Sequence, residues 1–379
     1  MTEARTRRVI LAPDKFKGSL TAAQAAAALA AGIHRTAPGT ELRQLPVADG
    51  GDGTVDAFLA AGWERVPVDS FGPTLAPVET AYAVRGIDAV VELAAVSGLA
   101  ELPGGQADPL HASTYGVGDV IGDALDRGAR HIVLGLGGSA STDGGAGLLQ
   151  ALGLRILDAD GNELPCGGAA LARAVRVDRS GLHPGLADAK ITLASDVDNP
   201  LLGPNGAAAV YGPQKGADPE QIATLEAALK NWAAVLGPEW ADKPGAGAAG
   251  GAGFGAMAAL GARVRSGIDV VLDLIGFRAE LAHAGLVITG EGSLDDQSLA
   301  GKAPLGVCQA AQAAGVPVIA VAGRIRLTPE QVTAAGFAAA YALSDLEPDP
   351  ARSIAAAGEL LERIGEIIAA PDNSIRPPV

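Results

Sequence analysis

The stretch from His131 to Leu152, HIVLGLGGSASTDGGAGLLQAL, narrows the choice of fold more than any other part of the chain. His131 to Leu136 is apolar and β-branched, as in a strand covered on both faces. It stops in a loop of glycine, serine, threonine and aspartate before an apolar, helix-like restart. Gly135, Gly137 and Gly138 can adopt backbone angles closed to other residues, so the chain can turn tightly and present N–H groups to an anion. Ser139, Ser141 and Thr142 add hydroxyl donors. Asp143, just before Gly144 and Gly145, is placed to cap the next helix or to face a metal ion. An ordinary strand-to-helix turn has the same composition, so this stretch alone supports a phosphate loop and a plain turn equally.

The same order recurs along the chain. Arg8 to Ala12 reads as a strand, DKFKGS as a polar loop, and Ser19 or Thr21 as the cap of a helix running to about Arg35. A strand from Glu41 to Val47 ends in ADGGDGT, with a helix from about Val55 to Ala61, and LVITGEGSLDDQSLAGKAP repeats the theme. Such repetition predicts a parallel sheet whose ligand-binding loops gather at the carboxyl ends of its strands. From Trp63 to about Val91 the strands crowd together, which favours antiparallel pairing and puts a domain boundary near residue 65. Further on, LRILDADGNEL predicts a hairpin with Asp160 and Gly161 at its turn, and Pro219 to Leu236 an amphipathic helix. Residues 245 to 261 read as a buried helix entered through a glycine loop. Val316 to Val321 and Ala338 to Leu343 read as strands, and Ile354 to Ile368 as a closing helix. An α/β alternation at both ends predicts one discontinuous domain with the middle of the chain inserted into it.

Charge excludes several partners. With 28 basic and 43 acidic side chains the chain carries a formal charge of −15, which repels nucleic acid and anionic membranes. Two cysteines, Cys166 and Cys308, make neither a disulfide framework nor a zinc spacing. No apolar run reads as a signal peptide or membrane span, so a reduced, cytoplasmic setting is expected. Lysine is scarce, 7 of the 28 basic residues, and Lys15, Lys17, Lys215 and Lys302 fall in glycine-containing loops, where a compact ammonium is useful.

Five loops combine glycine with acidic or lysine side chains: 14 to 19, 49 to 54, 137 to 145, 195 to 216 and 290 to 302. Backbone donors for phosphate, ammonium groups for its oxygens, and carboxylates for Mg²⁺ and a hydroxyl proton are the requirements of phosphoryl transfer. No G-x-x-x-x-G-K-[ST] loop, kinase signature set or G-x-S-x-G elbow is present. The competing reading is a dehydrogenase. Gly135, Gly137 and Ala140 satisfy G-x-G-x-x-A after a strand, and Asp158 lies near the spacing of a ribose-binding acid. That reading leaves four polar glycine loops without a role, and a non-enzymatic binding protein would not explain so many lysines and carboxylates.

Taken together, APDKFKGSLTA (12 to 22), PVADGGDGT (46 to 54), GLGGSASTDGGAGLLQALG (135 to 153), ASDVDNPLLGPNGAAAVYGPQKGA (194 to 217), GAAGGAGFGAM (247 to 257) and VITGEGSLDDQSLAGKAPLGV (287 to 307) resemble the bacterial glycerate kinase family, in family order and across nearly the whole chain. Lys15, and Ser141 with Thr142, depart from the usual family residues. The resemblance implies ATP-dependent phosphorylation of D-glycerate with Mg²⁺, at the 2-hydroxyl. It implies a Rossmann-like α/β domain of residues 1–65 and 275–379, a second mixed α/β domain of residues 66–274 inserted into it, and a cleft between them as the site. ATP and D-glycerate are then the partners, and a homodimer is one assembly this reading admits. Residue roles follow from side-chain chemistry rather than from the resemblance. Gly137, Gly138, Ser139, Ser141, Thr142 and Asp143 would cradle ATP phosphate, and Lys215 and Lys302 would offset the charge of the transferred group. Asp196 would orient or deprotonate the hydroxyl, Glu291 and Asp295 would hold Mg²⁺, and Lys17, Ser19, Asp49 and Arg324 would bind glycerate.

Overall fold

The structure, a computed structural model, describes residues 8–296, 298–300 and 302–370. Gln297 and Gly301, part of the expected 290 to 302 loop, lie outside the described residues. The chain forms two compact units. One takes the residues up to Asp49, Asp56–Gly62 and those from Ile268 onward, and the other takes Gly50–Val55 and Trp63–Gly267. Both are α/β, the first built on a parallel sheet and the second on a mixed one, as the sequence pattern requires. Among the described residues no helix is long and apolar enough to cross a membrane.

Numbering strands in chain order, the first unit contains β1 (Arg8–Pro13), β2 (Leu42–Gln44), β11 (Ala284–Leu294), β12 (Val318–Ile325) and β13 (Ala339–Ala342), arranged β13-β12-β11-β1-β2. Every pair is parallel. Val9 to Ala12 are all buried because β1 is covered on both faces, which is why its sequence is a continuous apolar run. The strand expected from Glu41 to Val47 shortens to three residues. Leu45 and Val47 still donate to Leu11 and Pro13, so the chain stays extended beside β1 without a full ladder.

Of the two cap candidates, Thr21 caps the helix Ala22–Thr36, in a reciprocal box with Gln24. This helix packs on the closing helix through two glycines. A Cβ on Gly32 would meet the Glu362 carbonyl at 1.9 Å, and one on Gly365 the Leu29 carbonyl at 2.6 Å, so the backbones approach more closely than any side chain permits. Leu29, Ile33, Leu361 and Ile364 fill the rest of the contact. The closing segment is two helices rather than one, Pro350–Ala355 and Ala357–Ala369, because Asp349 caps an extra short helix with Pro350 in its first turn. Strand order reverses between β1 and β11, since β1 leads to β2 on one side while β11, β12 and β13 lie on the other. In open parallel sheets ligands bind at the carboxyl ends beside such a switch point.

The second unit contains β3 (Glu64–Phe71), β4 (Pro77–Arg85), β5 (Asp88–Glu92), β6 (His131–Gly135), β9 (Lys190–Ala194) and β10 (Arg263–Arg265), in the order β10-β9-β6-β5-β4-β3. β3, β4 and β5 are antiparallel as expected, and β5, β6, β9 and β10 run parallel. A separate pair, β7 (Arg155–Leu157) and β8 (Arg176–Asp178), corrects the predicted hairpin. The turn does form, with Asp158 accepting from the Asp160 and Asn162 amides. Its return limb makes only an isolated bridge, Leu157 to Glu163, and the ladder goes to β8. The helix Pro219–Leu236 buries Leu225, Leu229 and Trp232. In Ala248–Leu260 the first turns are left-handed at Ala249, Gly250 and Gly251, so a glycine entry precedes a helix that buries Phe254 and Met257. His131, at the start of β6, is exposed and pairs with Asp88 at 3.0 Å.

Candidate active site

The functional side chains form two clusters, one in each unit. In the first, Asp14 follows β1 directly. Its amide donates to Gly290 of β11 (2.8 Å) and its carboxyl accepts from the Lys15 amide (2.6 Å). Burial, then Asp49, pushes this carboxyl up to about 8 against the pull of Lys15, with Glu291 adding to the rise. Glu291 is also buried, and its carboxyl is raised chiefly by burial, opposed by Ser298 and Lys302. Its Oε1 is enclosed and has no hydrogen-bond partner among the described residues. Further along β11 the Ser293 hydroxyl donates to Asp295 (3.1 Å) and accepts from Arg324 (3.2 Å), so these two expected residues share one small network. Lys302 precedes the helix Ala303–Ala313 and lies within electrostatic reach of Glu291. Lys17 is exposed on the loop after β1, its amide nitrogen 3.3 Å from where a Gly292 Cβ would sit. Ser19 spends its hydroxyl on the Phe16 carbonyl (3.0 Å), closing that loop.

The second cluster follows β6. Its glycines serve another backbone. A Cβ on Gly135 would lie 2.4 Å from the Gly50 carbonyl, and one on Gly137 2.4 Å from the Gly51 Cα, so the GGDG loop rests directly on the GLGG loop. Glu92, buried at the end of β5, holds the same GGDG loop by accepting from the Gly53 and Val55 amides, both at 3.0 Å. Gly138 takes φ +65°, and its carbonyl accepts from Leu99. Ser139 accepts from Lys215 Nζ at 2.7 Å, and the Ser141 carbonyl accepts from the same nitrogen. Lys215 is 2% exposed, and burial pulls its amine down to about 7, with Asp143 opposing. Ser141 Oγ and Thr142 Oγ1 are fully enclosed and lack partners among the described residues.

Asp143 takes the capping role of the two expected for it. Its carboxylate accepts from Thr114 through both amide and hydroxyl (2.8 Å each) and from the amides of Gly145 and Gly147 (3.2 Å each), at the start of Ala146–Ala151. A carboxylate so enclosed organises the loop from beneath. Asp196, after β9, is exposed and accepts from the Gly267 amide (3.1 Å). The structure thus gathers Gly137 to Asp143 with Lys215 in one unit, and Asp49, Glu291, Asp295, Lys302 and Arg324 along one sheet edge in the other. Asp14 opens the expected 14 to 19 loop but had no role of its own assigned from sequence, and Glu92 was not singled out. Each is a lone acid ending an apolar strand, a signal that was available.

The sequence model of the glycerate kinase family matches residues 9–371. The chain belongs to the glycerate kinase family. It is 42% identical to a Bacillus subtilis glycerate kinase over 96% of this chain and 97% of that protein. It is 43% identical to the Escherichia coli glycerate 2-kinase over 84% of this chain and 85% of that protein. A crystal structure of a Salmonella typhimurium LT2 protein described as glycerate kinase 2 superposes with a TM-score of 0.85 at 40% identity, covering 97% of this chain and 99% of that one. For a member of this phosphotransferase family the dinucleotide reading of Gly135, Gly137 and Ala140 falls away. The first two glycines admit a neighbouring loop, and the helix that follows has only six residues.

Proposed function

We propose that this protein transfers the terminal phosphoryl group of ATP to the 2-hydroxyl of D-glycerate. The observation that carries the reading is Lys215, an enclosed ammonium bonded to a hydroxyl and a carbonyl rather than a carboxylate, beside the unpartnered hydroxyls of Ser141 and Thr142. Enclosed donors without an acceptor are costly, and an anion on the Gly137 to Asp143 loop would relieve that cost. Family membership supports reading the anion as a nucleotide phosphate and the acceptor as a small hydroxy acid.

Mg²⁺ fits the first cluster, where Glu291 Oε1 is an enclosed carboxylate oxygen without a partner. Among the described residues no group of three or more His, Cys, Asp or Glu side chains is arranged around a metal, so the protein would supply one or two carboxylates. Glu291 and Asp295 would hold the ion, directly or through water. Bound there, Mg²⁺ would neutralise charge on the phosphoryl oxygens. Lys215 and Lys302 offset the remaining charge of the transferred group. Asp196 orients the glycerate hydroxyl and accepts its proton, with the Gly267 amide fixing one oxygen of its carboxylate. Lys17, Asp49 and Arg324 hold glycerate, while Ser19 shapes the Lys17 loop. A cytoplasmic setting belongs to the same proposal.

Incubation with ATP, Mg²⁺ and D-glycerate, with the product identified by ³¹P NMR, tests the reading. A 2-phosphoglycerate signal is expected. No phosphorylated product, together with tight NADH binding, would overturn it.

A further inference from the structure

We propose that Asp14 and Glu291, side by side across the β1–β11 switch point, are the two carboxylates that bind the divalent cation directly, and that Asp295 reaches it only through water. The inference rests on the Mg²⁺-dependent reading above and names a ligand outside it. Pro13 pairs with Gly290, and the Asp14 amide donates to the Gly290 carbonyl, so the register carried one residue further sets Asp14 beside Glu291. Both side chains are at least nine-tenths enclosed and lie within electrostatic reach of each other. Two carboxyls buried as neighbours ionise together only when something positive joins them.

Lys15 lies beside Asp14 and Lys302 beside Glu291. Glu291 Oε1 stays enclosed without a partner, as a ligand oxygen would before its ion binds. Asp49, within electrostatic reach of both acids, adds negative charge from the segment after β2. Asp295 is placed differently. It lies just beyond the end of β11, also within electrostatic reach of Glu291, and one of its oxygens already accepts from Ser293. Two carboxylates suit Mg²⁺, which keeps its other positions for water and phosphate oxygens.

The test uses Mn²⁺ as the probe, titrated into the full chain without nucleotide or glycerate and followed by electron paramagnetic resonance. One bound ion is expected. Asp14→Asn and Glu291→Gln should each weaken it by more than about tenfold, equivalent to about 1.4 kcal/mol, and Asp295→Asn by less than either. Both substitutions are isosteric and keep a hydrogen-bonding group in place of the carboxyl, so the thermal midpoint without metal should hold. Undiminished Mn²⁺ affinity in Asp14→Asn would overturn the assignment, as would Mn²⁺ binding to the unsubstituted protein only when ATP is present. If Asp14→Asn does not fold, a Glu291→Gln protein that binds Mn²⁺ normally overturns it equally. Neither result touches the kinase reading, which stands or falls on its product.

Discussion

Gly137→Ala separates two reasons for a glycine in the loop after β6. The residue lies outside the left-handed region, so alanine is free to adopt its backbone angles, and the cost comes entirely from space. The new methyl carbon would sit 2.4 Å from Gly51 Cα, with Gly51 C and N at 3.4 Å. Carbon atoms rest about 3.5–4.0 Å apart, so the GGDG loop must retreat by more than about 1 Å. Overpacking of this kind costs about 1–3 kcal/mol, and stiffening of the unfolded chain returns about 0.4–1 kcal/mol, leaving a net loss of about 1–2 kcal/mol. Calorimetry should show the midpoint lowered by about 2–4 °C per kcal/mol. Gly122→Ala is the control. It has open space inside the helix Tyr115–Asp126 and should stabilise by up to about 1 kcal/mol. A shift of this size next to the site should also lower turnover, by as much as about 10²-fold. Gly137→Ala with an unchanged midpoint and a raised KM for ATP would refute the packing argument and return the glycine to phosphate contact.

Lys215→Met should remove a pH dependence. The folded amine titrates at about 7, against an ordinary lysine value of 10.5, so the unfolded chain holds the extra proton between those values and stability rises with pH across that window. Between about pH 7 and 10 the urea midpoint of the wild type should climb relative to that of Lys215→Met, and parallel curves would sink the idea. Asp143→Asn would keep a carbonyl for Thr114 and Gly147 but turn amide hydrogens toward the Gly145 donor, which should cost about 1–3 kcal/mol by thermal melting. Asp196→Asn should keep the fold and lose at least about 10²-fold in turnover, whereas near-normal turnover would exclude Asp196 as the base. Glu92→Gln leaves one of the Gly53 and Val55 amides without its acceptor. It should cost about 1–2 kcal/mol, seen as faster hydrogen exchange at those amides.

Much of this was legible in the order of residues. Buried parallel strands announce themselves as apolar runs, so β1, β6, β11 and β12 were expected close to where they lie. Reciprocal capping at Asp218 and Gln221, with Pro219 next, marked the start of a long helix. Pairing was harder to read. The Leu154 to Leu164 segment carries a real turn, but its strand found a better partner some 20 residues on, and nothing local distinguishes the two outcomes. The Ser19 and Asp143 side chains turned inward for the same reason, since an oxygen beside unsatisfied amides has competing uses and only packing chooses among them.

The stretch from His131 to Leu152 shows where the division falls. Its strand, tight loop and helix follow from residue type, because periodicity and backbone freedom are local properties of the chain. The use of its glycines does not. Gly135 and Gly137 are small to admit Gly50 and Gly51, and Gly250 to admit the Ser141 carbonyl, all from segments far apart in sequence. The pairing of Asp14 with Glu291 is of the same kind, set by a strand register that joins residues 277 positions apart. Sequence determined which groups were available at the strand ends. The tertiary structure decided which face one another, because proximity, exclusion of water and mutual charge exist only once the chain is packed.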